Sequence, residues 1–246
     1  MTDEVRPDVR DRLALALDVA TLDEAVDLAT RLRGWFSVAK VGLELFSSEG
    51  PLAVDELLDE GFRVFVDLKL HDIPTTVGRA ARRIGSLGAS YLTVHAAGGA
   101  EMLRAAVEGF EEGWASAVAI GHPEPYGGSA GVLAVTVLTS DPAAGAELVG
   151  TRACLAAAAG CLGVVCAAAD LPVVRAQAPG LMTAVPGIRL AGSPHEDQAR
   201  AAGPFAAVSA GADLLVVGRT VTSSGTPELA AARLAAEVMA ALAANV

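Results

Sequence analysis

Residues 67–72 read Asp-Leu-Lys-Leu-His-Asp and run directly into Ile73-Pro74-Thr75-Thr76-Val77. Asp67 and Lys69 stand two positions apart at the end of an apolar run, Val64-Phe65-Val66. In a strand, whose side chains alternate with a period of two, both charges would share one face. Lys40 lies in an earlier strand-like run, flanked by Ala39 and Val41, and could bring a third charge to the same place. An unpaired buried lysine is costly. A lysine enclosed by carboxylates instead keeps its proton against the effect of burial. Such an ammonium suits delivering a proton to a developing carbanion better than attacking a carbonyl.

The elements that would position these groups show a simple alternation. Eight short apolar runs occur at 13–19, 38–45, 64–70, 91–96, 132–138, 163–167, 182–186 and 214–218. Helical patterns lie between and after them, at 22–32, 75–87, 101–110, 196–210 and 229–244. Near-continuous apolar strands with helical crossovers predict a parallel sheet covered on its outer face. Eight such units in 246 residues predict an α/β fold of the (β/α)8 TIM-barrel type, one domain over 1–246. The alternative is an open, doubly wound sheet. No Gly-x-Gly-x-x-Gly comes after the first run, which weakens a dinucleotide-binding version of it. Thr21 with Glu24 three residues later fits a capping box. Gly34, Gly61, Gly88 and Gly113 each come after a helical pattern, where left-handed caps are common. The Gly- and Pro-rich segment 121–129 is expected to be a surface loop without a chemical role.

A barrel carries its chemistry at the C-terminal ends of its strands. Asp18, Lys40, Asp67 and Lys69 fall at such ends, as do His95, Thr139, Ser140, Arg189, Gly218 and Arg219. Loops after the seventh and eighth strands frequently bind phosphate. Gly218 would allow close backbone approach there, and Arg219 would add a fork of donors. His71 and His95 read as structural histidines, and His122 and His195 as solvent-facing loop residues. No close ligand spacing among the His and carboxylate residues indicates a metal site.

Charge excludes several functions. Eighteen Lys and Arg against 29 Asp and Glu leave a formal net charge of −11, unsuited to general binding of nucleic acid or anionic membranes. A few local cations could still hold a small anionic substrate. The charged segment 1–12 lacks the apolar core of a signal peptide. The longest uncharged stretch, 153–169, is at the lower edge of a spanning length and contains Gly160 and Gly163. A helix ending at Gly160 and a buried strand over 164–167 account for it more simply. Cys154, Cys161 and Cys166 are an odd number without zinc spacing, so buried, inert thiols in a reducing cytoplasm are expected.

A family resemblance adds to this reading. Leu17-Asp18-Val19, Lys40-Val41-Gly42, Asp67-x-Lys69-x-x-Asp72-Ile73-Pro74-x-Thr76-Val77, Leu138-Thr139-Ser140, Pro186-Gly187-Ile188-Arg189 and Gly218-Arg219 are spread over nearly the whole chain. Through them the chain resembles bacterial orotidine 5'-monophosphate decarboxylases. The Asp-x-Lys-x-x-Asp element alone is shared with related sugar-phosphate decarboxylases and synthases, whereas Ile-Pro-x-Thr-Val and Pro-Gly-Ile-Arg are more specific. No motif position is missing, and only the segment 121–129 is longer than expected. The resemblance implies conversion of orotidine 5'-monophosphate to uridine 5'-monophosphate, without cofactor or metal, by a catalytic set of Lys69, Asp67, Lys40 and Asp72. Lys69 would protonate C6, Asp67 would lie beside the substrate carboxylate, and Lys40 and Asp18 would meet the ribose hydroxyls. Thr139 and Ser140 would meet the pyrimidine edge, Pro186 would add a further substrate contact, and Gln198, Arg189, Gly218 and Arg219 would hold the phosphate. The resemblance also implies a homodimer in which Asp72, Ile73 and Thr76 reach the neighbouring subunit's site. The Gly-, Ser- and Pro-containing segment 190–196 would be the mobile element. Two rival readings remain: a Mg²⁺-dependent sugar-phosphate enzyme using the same Asp-Lys-Asp element, and a silent phosphate-binding barrel. The cost of unused buried charges argues against the second.

Overall fold

The computed structural model describes residues 7–121, 130–139, 141, 145–191 and 201–244. Eight parallel strands close into a barrel in sequential order: β1 Leu13–Leu17, β2 Val38–Val41, β3 Arg63–Leu70, β4 Tyr91–His95, β5 Gly131–Val135, β6 Gly163–Val165, β7 Met182–Val185 and β8 Leu214–Val217. Pairing of β1 with β8 closes the ring, through Ala14 opposite Val216, and removes both edges of the alternative open sheet. The (β/α)8 TIM barrel expected from the run pattern is the fold observed.

Period-two alternation sorts the strand residues between two cores. Leu13, Leu15 and Leu17 of β1 point outward with Ala39, Val41, Val64, Val66, Leu92 and Val94, into the layer beneath the helices. Ala14 and Ala16 point inward with Val38, Phe65, Tyr91, Leu133, Ala184, Leu214 and Val216, and fill the barrel. The small alanines of β1 leave room for Phe65 and Tyr91, whose rings meet edge to face at 5.9 Å. This plug is what the polar residues of the next layer stand on. The register makes that layer explicit: Ala16 pairs with Lys40, and Lys40 pairs with Phe65.

Below the plug, the N-terminal mouth is sealed by polar networks. Arg63 donates to Tyr91 Oη at 3.1 Å, Ser37 Oγ at 3.0 Å and the Asp11 carboxylate at 3.1 Å. Arg175 donates to the Leu181 and Gly211 carbonyls, to Thr183 Oγ1 at 2.9 Å and to Asp213.

Several element boundaries differ from the sequence expectation for identifiable reasons. The run 38–45 divides at Gly42, where β2 gives way to a helix over Leu43–Glu49. Gly42 is extended, with ψ −176°, and acts as that helix's N-cap. The pattern at 101–110 is the middle of a longer helix, Gly99–Ala119, and Gly113 lies inside it rather than capping it. That helix crosses Pro74–Gly85 so closely that a Cβ at Gly113 would overlap the Arg82 carbonyl oxygen, and one at Gly109 the Gly78 carbonyl oxygen. Gly61 and Gly88 do adopt positive φ, 83° and 82°, whereas Gly34 does not. Thr21 accepts a hydrogen bond from Glu24 N at 3.3 Å, the N-cap half of the expected box. Further helices, Leu52–Asp59 and Leu171–Gln177, come after β2 and β6. The stretch 153–169 resolves as expected into the end of a helix, Ala146–Ala158, a left-handed Gly160 and β6. Among the described residues no helix is long and apolar enough to cross a membrane. Within the described part of 196–210 a helix spans Pro204–Ser209, and residues 122–129 and 192–200, with His122, His195 and most of 190–196, lie outside the described residues.

One expectation about the cysteines is overturned. Cys161 and Cys166 are buried, but Cys154 is exposed, with its Sγ 3.7 Å from the Gln177 carbonyl at the end of the neighbouring helix. Burial pushes the Cys161 thiol up to about 12, which makes it inert.

Candidate active site

Three strand ends bring four alternating charges into one row. Asp18 comes just after β1, Lys40 lies in β2, and Asp67 and Lys69 lie late in β3. Lys40 Nζ donates to Asp18 Oδ1 at 2.9 Å and stands 3.7 Å from Asp67 Oδ2. Lys69 Nζ lies 2.8 Å from both Asp67 oxygens. The side chains of Lys40 and Asp67 are 7% and 15% exposed, Lys69 is 30% exposed, and Asp18 is 57% exposed. The row is thus electrically balanced at its buried centre and open at both ends. Two positive and two negative groups in contact offset the desolvation that either sign alone would suffer.

Asp67 is the hub. Burial by itself would raise its carboxyl, but the Lys40 and Lys69 ammonium groups, with hydrogen bonds from Lys69 and Thr93, outweigh burial and hold it below the ordinary carboxylate range. Carboxylate it therefore remains at neutral pH.

Lys69 reaches Asp67 by a different route from the one the strand period implies. The ladder between β3 and β4 runs regularly through Val66 opposite Leu92, then shifts before Leu70 opposite Val94. Inside that break Lys69 has φ +51°, the only positive φ on a non-glycine among the described residues. A left-handed conformation costs a side-chain-bearing residue roughly 1–2 kcal/mol. The distortion keeps Lys69 turned back onto Asp67.

Above the row is a cavity of about 400 Å³, lined by Asp18, Lys40, Asp67 and Lys69 on one side and by Pro186, Gly187, Arg189, Gly218 and Arg219 on another. Its volume is that of a small-molecule site. Arg189 is buried, and its guanidinium donates to the Ile188 carbonyl at 3.1 Å and to Thr220 Oγ1 at 3.3 Å. Arg219 is exposed at the rim, directly after Gly218. Gly187 turns the chain with φ +79°. Thr139 also lines the cavity, from the segment after β5. One end of the cavity is thus cationic, while the other presents mixed charge.

Not every residue singled out in the sequence joins this cavity. Asp72, Ile73 and Thr76 are exposed beyond β3, with Ile73 66% exposed and Asp72 Oδ1 accepting from Ile73 N at 2.6 Å. Ser140 and Gln198 lie outside the described residues. Gly42, Leu43 and Glu44 line the cavity without having been anticipated as site residues. Gly42 had a visible signal in its place after Lys40, because a Cβ there would overlap Asp18 Oδ1 and lie 2.9 Å from Lys40 Nζ. Thr93 had only a weak signal, a polar residue in the inward-facing series Tyr91, Thr93, His95. His71 and His95 approach with ring centroids 5.4 Å apart. Burial, with the charges of His71, Lys69 and Arg152, moves the His95 imidazole below its usual value against the opposing pull of Asp67. No group of three or more His, Cys, Asp or Glu side chains arranged to hold a metal ion occurs among the described residues.

Comparison with known proteins places this geometry in a family. Residues 11–234 match the profile of the orotidine 5'-phosphate decarboxylase / HUMPS family. The orotidine 5'-phosphate decarboxylase of Anaeromyxobacter dehalogenans is 45% identical over 237 residues, covering 92% of this chain and 97% of that protein. That of Thermobifida fusca is 43% identical over 240 residues, covering 92% and 95%. Among solved structures, orotidine 5'-phosphate decarboxylase from Lactobacillus acidophilus superposes with a TM-score of 0.75 at 29% identity, over 93% of this chain and 99% of that one. By the extent of that match, the chain belongs to the orotidine 5'-phosphate decarboxylase / HUMPS family.

Proposed function

We propose that this protein decarboxylates orotidine 5'-monophosphate to uridine 5'-monophosphate in de novo pyrimidine synthesis, as one (β/α)8 unit in the cytoplasm. The observation that carries the proposal is the Asp18-Lys40-Asp67-Lys69 row beneath a cavity whose opposite end holds Arg189 and Arg219. A nucleoside monophosphate has matching polarity: a dianion at one end, a ribose diol in the middle, and the reacting carboxylate on the base.

The chemistry asks for stabilisation of charge on carbon. The bond between C6 and the carboxyl carbon breaks, its electron pair stays on C6, and carbon dioxide leaves. A proton then passes from Lys69 Nζ to C6, and Lys69 regains one from solvent. The ammonium, held by both Asp67 oxygens, needs no reorganisation as negative charge develops beside it, which is where preorganised electrostatics act most strongly. Asp67 would lie beside the substrate carboxylate and hold Lys69 in place. Lys40 and Asp18 would bind the ribose hydroxyls, and Thr139 with Ser140 would meet the pyrimidine edge. Arg189, Gly218 and Arg219, with Gln198, would bind the phosphate end, whose interaction energy can be used to position the base, and Pro186 would add a further substrate contact. Neither a metal ion nor an organic cofactor has a step to perform.

We further read the protein as a homodimer. Asp72, Ile73 and Thr76 lie between the end of β3 and the first turn of the next helix and are exposed, which leaves them accessible to a second subunit. They would complete the active site of the neighbouring subunit.

The test is loss of orotidine 5'-monophosphate absorbance on mixing with protein exhaustively treated with chelator. Turnover that persists, and disappears in Lys69→Ala, is expected. Turnover restored only by Mg²⁺, or near-normal turnover in Lys69→Ala, would overturn the assignment. Sedimentation of the protein as a monomer at micromolar concentration would remove the shared-site reading.

A further inference from the structure

We infer that Thr93 is a positioning residue for the decarboxylation, holding the Lys69 backbone and the Asp67 carboxylate in register through a single hydroxyl. The inference rests on the function proposed above. Thr93 is fully buried, in the middle of β4, and does not line the cavity. Any effect on substrate must therefore pass through its neighbours.

Both neighbours are specific. The Thr93 hydroxyl donates to Asp67 Oδ1 at 2.8 Å and accepts from the Lys69 backbone N–H at 2.9 Å. The second bond lies inside the register break between β3 and β4, between the regular Val66–Leu92 pair and the shifted Leu70–Val94 pair. A regular ladder would offer the Lys69 N–H a carbonyl. At the break, a side chain from the adjacent strand takes that place. It does so at the residue with φ +51°, so the acceptor that satisfies the N–H also supports the left-handed turn that aims Lys69 back at Asp67.

One hydroxyl thus serves two partners with different roles, a donor to the carboxylate and an acceptor from the backbone. Only a hydroxyl on a short side chain performs both at this distance. Valine has the same shape and performs neither. It would leave a buried N–H unsatisfied and take one of three donor contacts from Asp67.

The experiment compares wild type, Thr93→Val and Thr93→Ser in steady-state decarboxylation of orotidine 5'-monophosphate, with thermal unfolding run in parallel. Thr93→Val is expected to lower kcat roughly 10–100-fold, with KM changed less than about threefold, because the phosphate and ribose contacts are untouched. Thr93→Ser keeps the hydroxyl and should return kcat to within about threefold of wild type. A purely structural role would make turnover track the folded fraction and would show no such split. Should Thr93→Val fail to fold, Thr93→Cys, close in size to serine but a weak hydrogen-bonding group, gives the same comparison. Wild-type kcat in folded Thr93→Val overturns the inference while leaving the decarboxylase reading standing. Equal losses in the Val and Ser variants overturn it too, as does unfolding of both the Val and Cys variants while Ser stays active. An inactive wild-type protein would overturn the decarboxylase reading itself and this inference with it.

Discussion

Replacing Gly42 by alanine tests whether the charge row works as a unit. The backbone at Gly42, φ −89° and ψ −176°, is open to any residue, so the substitution brings no conformational strain of its own. Its added methyl would overlap Asp18 Oδ1 and stand 2.9 Å from Lys40 Nζ. Of the two, Asp18 is the one free to leave, since its side chain is 57% exposed against 7% for Lys40. Lys40 would stay near Asp67, 3.7 Å away, and lose its 2.9 Å bond to Asp18.

The stability cost should be small. An ion pair with one half-exposed partner contributes about 1 kcal/mol at most after solvent screening. Alanine is also a poorer N-cap than glycine, by about 0.5–1 kcal/mol. Together these lower the melting temperature by roughly 2–8 °C in a chain of this length. Activity should suffer more. Where bound substrate shields the pair from water, losing the charge-assisted bond costs about 1.5–3 kcal/mol instead and lowers kcat/KM by roughly 10–100-fold. A double-mutant cycle with Asp18→Ala separates the cause. In that background the colliding carboxylate is absent, so adding Gly42→Ala should change kcat/KM by less than about threefold. Full activity in the single variant, or an undiminished loss in the Asp18→Ala background, would refute coupling through the Asp18–Lys40 pair.

The same structure sets three further expectations. Because Asp67 is held below its ordinary value of 3.8, its contribution to stability is complete above that pH, erodes as pH falls below it, and is gone beneath the lowered folded value; acid unfolding of Asp67→Asn should lack this component, and an unchanged acid limb would contradict the pairing. Native protein at pH 8 should react rapidly with a thiol reagent at Cys154 alone, with Cys161 and Cys166 labelled only on unfolding; rapid labelling of any thiol in Cys154→Ala would show the packing to be wrong. Arg175→Ala should destabilise the barrel by about 2–4 kcal/mol, because it strips the Gly211 and Leu181 carbonyls and Asp213 of a donor, while kcat/KM stays within about twofold; a selective loss of activity without a fall in melting temperature would refute a purely structural floor.

The barrel was legible because both of its periodicities are local. The unbroken apolar run Leu13–Leu17 is what a strand buried on both faces shows, and eight such runs separated by helical patterns leave little choice of architecture. Asp18, Lys40 and Asp67 were readable for a related reason: charges in apolar strands need partners, and a barrel brings strand ends together. The features that escaped depend on contacts distant in sequence. Gly113 looks like a helix cap by position, yet its role is set by Arg82 on a crossing helix. The end of β2 could not be placed from 38–45, where the apolar residues on either side of Gly42 belong first to a strand and then to a helix. Thr93 is an ordinary strand residue until Asp67 and Lys69 are placed against it from β3. The exposure of Cys154 is likewise invisible in an alanine-rich helix, where small residues fit either face.

The Asp67–Asp72 segment shows why the strand period alone misleads at the place where it matters most. A regular strand would carry Lys69 past Asp67 by about two residue rises, roughly 6.8 Å along one face. The break after Val66 and the left-handed Lys69 instead fold the ammonium back to 2.8 Å from both carboxylate oxygens. The same irregularity sets the path of the next residues. Leu70 rejoins the ladder opposite Val94, and His71, Asp72 and Ile73 leave the barrel into solvent before the helix at Pro74 begins. A strand that continued straight would spread its polar residues along the barrel wall. One that breaks here concentrates Asp67 and Lys69 inside while presenting Asp72, Ile73 and Thr76 outside. Under the homodimer reading, these outward residues are the ones that a second subunit would receive. The backbone distortion at Lys69 is then a shared requirement of both sites, one for its own ammonium and the other for its neighbour's wall. Relaxing it, by any substitution that restores a regular β3–β4 ladder, should therefore weaken turnover and dimer assembly together.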